Sequence, residues 1–491
     1  MPRADPFSGK VLHSARRTAL DAAGAVVESD PPTNRARIEA RLDKEVVMVE
    51  RGRELSGRRG KVSRRAFLRA GGVAGLASAA GAFHVNVARA QSRTLKIGFI
   101  GAQSGVRANF GETTPWMIER IRTALKDGLK VGGKSYTVEI LVKDNQSDPN
   151  RSSVVGSELV LREKCDLVVA FDSDAALAVG ELADARSMPT ISTMVPWTGW
   201  KFSRGATPDD LVEKSFPYTF HFFWGAGEVV KNFLAMWNSV KTNKLVGTFY
   251  SDTPTGRAFG NAKTGLPSGM SQHGYREVPG GFYKMATDDF TNQVTAFKNG
   301  NAEIVSGLVL PSHWATFWNQ AAQAGYKPQV CTVAAAFLFA SAITSLGPRG
   351  DGMSTEVWWT PKFPYKSSIT GQTARELATD WENSTGKQWT QPIGYSHAVW
   401  EVAIAALTSA GDPKDKEAVR HAIANLSVDT VVGPVRFKDT PIKNVAVTSM
   451  AGGQWRKTKG GRFPFELVIV YNATAPQIPV EAELKLLSQL G

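Results

Sequence analysis

A pattern that occurs twice constrains this chain more than any other feature. Short apolar, β-branched runs alternate with helical stretches of about ten to fifteen residues. In the first half, residues 95–100 read as a strand, 101–111 as a Gly/Ser loop and 113–127 as a helix. Strands at 136–142, 166–170 and 189–193 follow, separated by helices over 149–163 and 176–186. The second half starts again with strand 244–250, loop 251–256, helix 257–273 and a short strand at 275–278. Helix 289–299, strand 303–309, helix 312–325 and strand 329–333 complete it. Strands joined by crossover helices pair in parallel, and two βαβαβ runs of roughly 120 residues each exceed one compact sheet. The expectation is an α/β protein of two doubly wound, Rossmann-like lobes. In such sheets ligands bind outside the carboxyl ends of the strands, so two facing edges make a central ligand cleft. The remaining chain supplies helices near 396–409 and 414–425 and strands near 431–437 and 465–471.

Composition is globular, with 42% hydrophobic and 21% charged residues. The net charge of +13 is uneven: residues 1–90 hold 17 Lys/Arg against 9 Asp/Glu, which leaves +5 for the rest. A nucleic-acid binder concentrates basic charge on its folded part, so no nucleic-acid partner is expected. The basic segment has instead the order of an export signal. Arg64 and Arg65, with Phe67 and Leu68, precede a Gly/Ala-rich apolar run over 70–83 and an Ala88-Arg89-Ala90 cleavage site. The arginine pair resembles a twin-arginine signal, and the apolar run is too short to stay in a bilayer. Residues 1–90 are therefore assigned as leader, and Met48, which gives an n-region of ordinary length, is the expected true start. Cleavage near Ala90 leaves a soluble periplasmic chain with no direct membrane insertion.

Cys165 and Cys331 fall in different lobes and are expected to stay unpaired. The seven histidines are dispersed without metal-ligand spacing. No G-x-S-x-G elbow, Walker loop or complete dinucleotide fingerprint occurs. No metal, no cofactor and no enzymatic activity are expected.

Four segments carry a resemblance. They are Gly101-Ala-Gln-Ser-Gly105 with Phe110-Gly111, Lys143-Asp144 through Asp148-Pro149, Asp289-Phe290-Thr291 leading into Glu303-Ile304-Val305, and Thr430-Val-Val-Gly433-Pro434. In this order the chain over most of 94–475 resembles the branched-chain (Leu/Ile/Val) amino-acid-binding type of periplasmic substrate-binding protein of ABC transporters. The resemblance implies a type I periplasmic binding protein fold, closing on a small-molecule ligand by hinge motion and docking on an inner-membrane permease. It implies lobe 1 from 94–219 plus 361–430, lobe 2 from 220–360 plus 431–475, and a C-terminal tail at 476–491. The crossings are expected near 218–222, 357–361 and 430–437, and the chain is expected to be a monomer. A ligand sensor of the same fold, acting on a regulator, is the alternative function.

The resemblance also nominates a pocket. Phe110 stands where the family often has an aromatic wall, and Ser173, Asp174 and Ala175 match the loop that binds the ligand carboxylate. Either Asp172 or Asp174 is suited to cap the helix that follows. Met194 and Trp197 lie in the loop after the fourth strand, where larger apolar side chains suggest an aromatic pocket. Thr255 and Leu310 mark the second lobe's edge. Ala334 falls where amino-acid binders carry an acidic residue for the ligand ammonium. A buried ammonium without a carboxylate costs on the order of several kcal/mol. An α-amino acid therefore needs Asp172 or Asp174 as a replacement, and an amine-free aromatic or aliphatic acid or amide is an equal candidate.

Overall fold

A computed structural model describes residues 93–490 of the protein. The leader expected over 1–90, with Arg64, Arg65 and Met48, lies outside the described residues.

The strands of the first half are β1 (Thr94–Gly101), β2 (Leu129–Val131), β3 (Lys134–Asp144), β4 (Leu167–Ala170), β5 (Thr190–Ser192), β6 (Thr219–Phe222), β7 (Leu245–Ser251) and β8 (Arg276–Tyr283). Those of the second are β9 (Ile304–Leu308), β10 (Val330–Ala334), β11 (Ser354–Val357), β12 (Ser427–Thr430), β13 (Gly433–Arg436), β14 (Val445–Ala446), β15 (Ala451–Lys457) and β16 (Phe465–Tyr471). They form a seven-stranded sheet in the order β14-β6-β5-β4-β1-β3-β2 and another in the order β16-β15-β11-β10-β9-β7-β8. The first is parallel except for β2 against β3. The second is parallel from β8 to β11, with β15 and β16 antiparallel at its edge. These are the two doubly wound lobes expected.

Period-two alternation decides which side chain meets which helix layer. Leu95, Ile97 and Phe99 of β1 point to the layer of Thr114–Ala124 and Pro392–Ser409, where Phe99 stacks on Trp400 at 5.8 Å. Ile100, Val168 and Ala170 point the other way, against Val155 and Val179 of helices Pro149–Ser157 and Ser173–Ala185. A sheet covered on both faces buries every residue of its inner strands, as in Leu167–Ala170 and Ile304–Leu308.

Several boundaries differ from those read in the sequence. The helix expected over 257–273 is two, Pro254–Phe259 and Leu266–Gln272. At Gly265 the backbone approaches so closely that a Cβ would lie 2.2 Å from the carbonyl oxygen of Phe259. The first crossing comes just after β6, at 223–225, because Thr219–Phe222 pairs with β5 in the first sheet. The crossing expected near 430–437 is instead the β12–β13 hairpin, tightened by Thr430 Oγ1 donating to the carbonyl of Gly433 at 2.6 Å. Val445 and Ala446 still belong to the first sheet, paired with His221 and Phe222, so the third crossing is 447–450 and the second lobe resumes at β15. The last segment is no free tail: the N–H of Leu487 donates to Gln329 at 2.8 Å and that of Lys485 to Gln454 at 3.0 Å. The second crossing follows β11.

The crossings are held by specific contacts. Gln391 accepts from the N–H of Trp358 at 2.8 Å and donates to the carbonyl of Glu356 at 3.0 Å, tying β11 to the start of the long helix. Gly452 lets β15 approach helix Ala226–Asn238, since a Cβ there would meet Met236 Sδ at 2.2 Å.

Candidate ligand-binding cleft

The carboxyl ends of β1, β3 and β4 carry a polar network that fixes the floor of the cleft in lobe 1. Asp144 ends β3 and accepts from the N–H of Gln103 at 2.9 Å, the hydroxyl of Ser104 at 2.6 Å and the N–H of Gln146 at 2.8 Å. Those bonds hold its carboxyl below the ordinary carboxylate range, against the opposing effect of burial. Asp148 caps the next helix through the N–H of Arg151 at 2.7 Å. The two aspartates of the Asp144…Asp148-Pro149 segment thus do separate jobs, one tying the first loop and one starting a helix. Gly105 belongs to the same arrangement: its φ is +82°, and a Cβ would lie 2.5 Å from the carbonyl of Gln146.

Asp172 is the keystone of this floor. It caps helix Ser173–Ala185 by accepting from the N–H of Ala175 at 2.9 Å, and it also accepts from Ala102 N–H and from Asn145 Nδ2 at 3.0 Å. Burial pushes its carboxyl upward, and the N–H groups of Ala175 and Ala102 pull it back. Asp174 pairs with Arg107 at 3.2 Å. Burial raises its carboxyl to about 6 and the Arg107 guanidinium opposes the rise.

A cavity of about 60 Å³ lies between the lobes, where these loops face the ends of β9, β10 and β11. Its polar members are Arg107, Asp172, Ser173, Thr255 and Glu356; the rest is apolar, with aromatic rings from Phe110, Phe223, Trp224 and Trp358. The crossing aromatics back it as one edge-to-face cluster. Phe223 meets Trp358 at 5.3 Å and Tyr395 at 4.9 Å, and Trp358 meets Tyr395 at 5.1 Å. Phe110 of lobe 1 meets Phe339 of lobe 2 edge-on at 5.0 Å, so the lobes touch across the mouth. Two lining residues, Met194 and Ala335, take positive φ of 62° and 66° at the ends of β5 and β10. Such left-handed positions cost about 1 kcal/mol or more and gather at binding sites.

Of the nine residues nominated from sequence, Phe110, Ser173, Met194, Thr255, Leu310 and Ala334 line this cavity. Three stand behind its wall. The Asp174 carboxylate is turned to Arg107, and Ala175 packs into the core beside Ile100 and Val155. Trp197 opens a helix, Trp197–Ser203, that the sequence reading did not find, and its ring packs with Val195, Trp200 and Phe216 within lobe 1.

Sequence reasoning missed Arg107, Glu356, Trp224 and Trp358. Glu356 is fully buried on β11, accepts from the N–H of Ala335 at 3.1 Å and from Thr355 Oγ1 at 2.7 Å, and has its carboxyl raised by burial to about 7. The indole N–H groups of Trp224 and Trp358 are buried without a hydrogen-bond partner. Each orphaned donor costs about 1–3 kcal/mol that an acceptor on a ligand would recover. The signal was present in Ser354-Thr-Glu-Val-Trp-Trp359, a carboxylate inside an apolar run, but that run was not read as a strand.

Residues 94–462 match the family described as periplasmic binding protein. Among solved structures the chain is similar to a solute-binding protein of an ABC transporter from Rhodopseudomonas palustris BisB5 in complex with 3,4-dihydroxybenzoic acid. Identity is 18%, the TM-score is 0.62, and the match covers 78% of this chain and 98% of that one. A leucine-binding protein, LivK, from Thermotoga maritima MSB8 matches at 16% identity and a TM-score of 0.61, over 77% of this chain and 99% of that one. LivJ from Streptococcus pneumoniae, a branched-chain amino-acid substrate-binding protein in complex with isoleucine, matches at 18% identity and a TM-score of 0.57, over 77% and 99%. At these identities the likeness is one of fold. Among the described residues no helix is long and apolar enough to cross a membrane.

Proposed function

Since this chain belongs to the periplasmic binding protein family, we propose that it is the solute-binding component of an ABC importer. It captures a small hydrophobic amino acid, or an aromatic or aliphatic carboxylate or amide, and closes on it. The closed form then delivers the ligand to a membrane permease. The observation that carries this reading is the cavity between the lobes, walled by Phe110, Phe223, Trp224 and Trp358 and provided with only a few polar groups. Such a wall holds an apolar body, while Arg107 and the start of helix Ser173–Ala185 suit an anionic end. The ligands named for the similar structures, isoleucine and 3,4-dihydroxybenzoic acid, fit the same description.

Thermal unfolding against amino acids, aromatic acids, aliphatic acids and amides tests it. A ligand at 100-fold over its Kd stabilises the folded state by about 2.7 kcal/mol, which moves the midpoint visibly. All 13 tryptophans lie outside the leader, so their emission checks each hit. If no class of compound shifts either signal, the reading is refuted. Export is proposed to run through the Arg64-Arg65 signal; periplasmic recovery unchanged by Arg64→Lys with Arg65→Lys would count against that.

A further inference from the structure

The register of β10 against β11 sets a carboxylate level with Ala334. Thr332 lies opposite Ser354 in this parallel pair, so Ala334, two residues on, is level with Glu356. Both residues line the cavity. The turn at Ala335, with its positive φ of 66°, brings that residue's N–H to 3.1 Å from Glu356 Oε1. Glu356 therefore stands in the cleft one strand over from Ala334.

Charge accounting shows what it faces. Arg107 is matched by Asp174 at 3.2 Å, and Asp172 accepts from Ala102, Ala175 and Asn145. The Glu356 carboxylate is met by the Thr355 hydroxyl, the Ala335 N–H and its own N–H, all neutral donors, with no cation beside it. The strand on its other side places Gly452 opposite it, and Gln391 bonds its carbonyl, not its carboxylate. Among the described residues it is the one carboxylate lining the cavity that no cation faces, and the rings of Trp358, Trp224 and Phe223 surround the same space. A carboxylate among aromatic faces is an environment for an ammonium. The unpartnered indole N–H groups of Trp224 and Trp358 add a call for an acceptor on the same ligand.

We propose that Glu356 is the counter-charge for a protonated amine, so that the cavity takes a compact amine-bearing ligand with an apolar body: an aromatic or branched aliphatic amino acid or its amide. This rests on the reading of the cavity as a ligand site and narrows it. Charge matching also fixes a pH sign. An ammonium needs Glu356 ionised, and burial holds that group protonated up to about 7. Affinity for an amine ligand therefore rises as pH goes from 5.5 to 7.5, with protons released on binding. Asp174, raised to about 6 beside Arg107, ionises lower in the same interval.

The test is calorimetric titration of the purified protein with matched pairs that differ only in the amine: phenylalanine against 3-phenylpropanoate, and leucine against 4-methylpentanoate. The amine member is expected to bind roughly tenfold to a hundredfold tighter, as befits a charge-assisted bond in a buried site. Glu356→Gln, with folding checked by circular dichroism, is expected to erase that preference. The pH series on the native protein reads the same inference without a variant. Equal or tighter binding of the des-amino member, or affinity that falls as pH rises, overturns the assignment and leaves the cleft reading standing. Failure of every compound class to bind overturns the cleft reading itself, and this inference with it.

Discussion

Glu401 offers a test of the burial argument away from the ligand. It lies on helix Pro392–Ser409 and is 1% exposed. Its carboxylate accepts from the N–H of Ser368 at 2.5 Å, the hydroxyl of Ser368 at 2.9 Å and the N–H of Val431 at 2.9 Å, which ties the 367–370 turn and the β12–β13 hairpin to the helix. Burial nevertheless dominates these donors and raises the carboxyl from 4.5 to about 7. Between those values the folded protein holds a proton that the unfolded chain has released. The stability from this group is thus complete below pH 4.5 and lost as pH rises through 7. At about 1.4 kcal/mol per pH unit, the separation amounts to about 3 kcal/mol. Glu401→Gln removes the titration. Unfolding in guanidinium at pH 5, 6, 7 and 8 should show the stability of the native protein relative to the variant falling by about 2.5 kcal/mol across the series, since part of the change lies below pH 5. His221 and His397, pushed down to about 3 by burial, titrate in the opposite sense but equally in both proteins, so they cancel. A difference that stays flat, or grows with pH, would mean that burial does not raise the Glu401 carboxyl.

Three further outcomes follow from the same contacts. Asp172→Ala removes the cap of helix Ser173–Ala185 and strands the Ala102 N–H and Asn145 amide, so denaturant unfolding should show a loss of about 3 kcal/mol or more. Phe110→Ala deletes the ring pair with Phe339 across the mouth, worth about 0.5–1.5 kcal/mol beyond area. Stopped-flow tryptophan fluorescence should show it as faster ligand release at little cost to the melting temperature. Cys165 and Cys331 are both buried, the first thiol raised to about 12 and the second well above its usual value. A thiol reagent at pH 8 should find no reactive cysteine until denaturant is added, and two afterwards.

The lobes were legible because period-two runs and crossover helices report directly on sheets covered on both faces, and β16 was read with its observed limits. The boundaries that failed depend on distant pairing. Val445–Ala446 is only two residues long, and nothing local says that it joins β6 rather than the second lobe. The site divides the same way. Residues on loops with a recognisable sequence, such as Phe110 and Ser173, reached the cavity. Arg107 and Glu356 did not stand out, because their importance comes from an ion pair with Asp174 in one case and from a neighbouring strand's register in the other. Trp197 shows the converse error: an apolar ring in the right loop turned into its own lobe, where Val195 and Trp200 bury it.

Locating a bound ligand decides whether one small molecule is held between the lobes at this cavity. Co-crystallisation with the tightest compound from the thermal panel should place its density against Phe110, Trp358 and Glu356, with its polar end toward Ser173 and Arg107. Density elsewhere, for example in the surface recess beside Trp318, Tyr326 and Leu487, with the cavity between the lobes unchanged, would contradict the account.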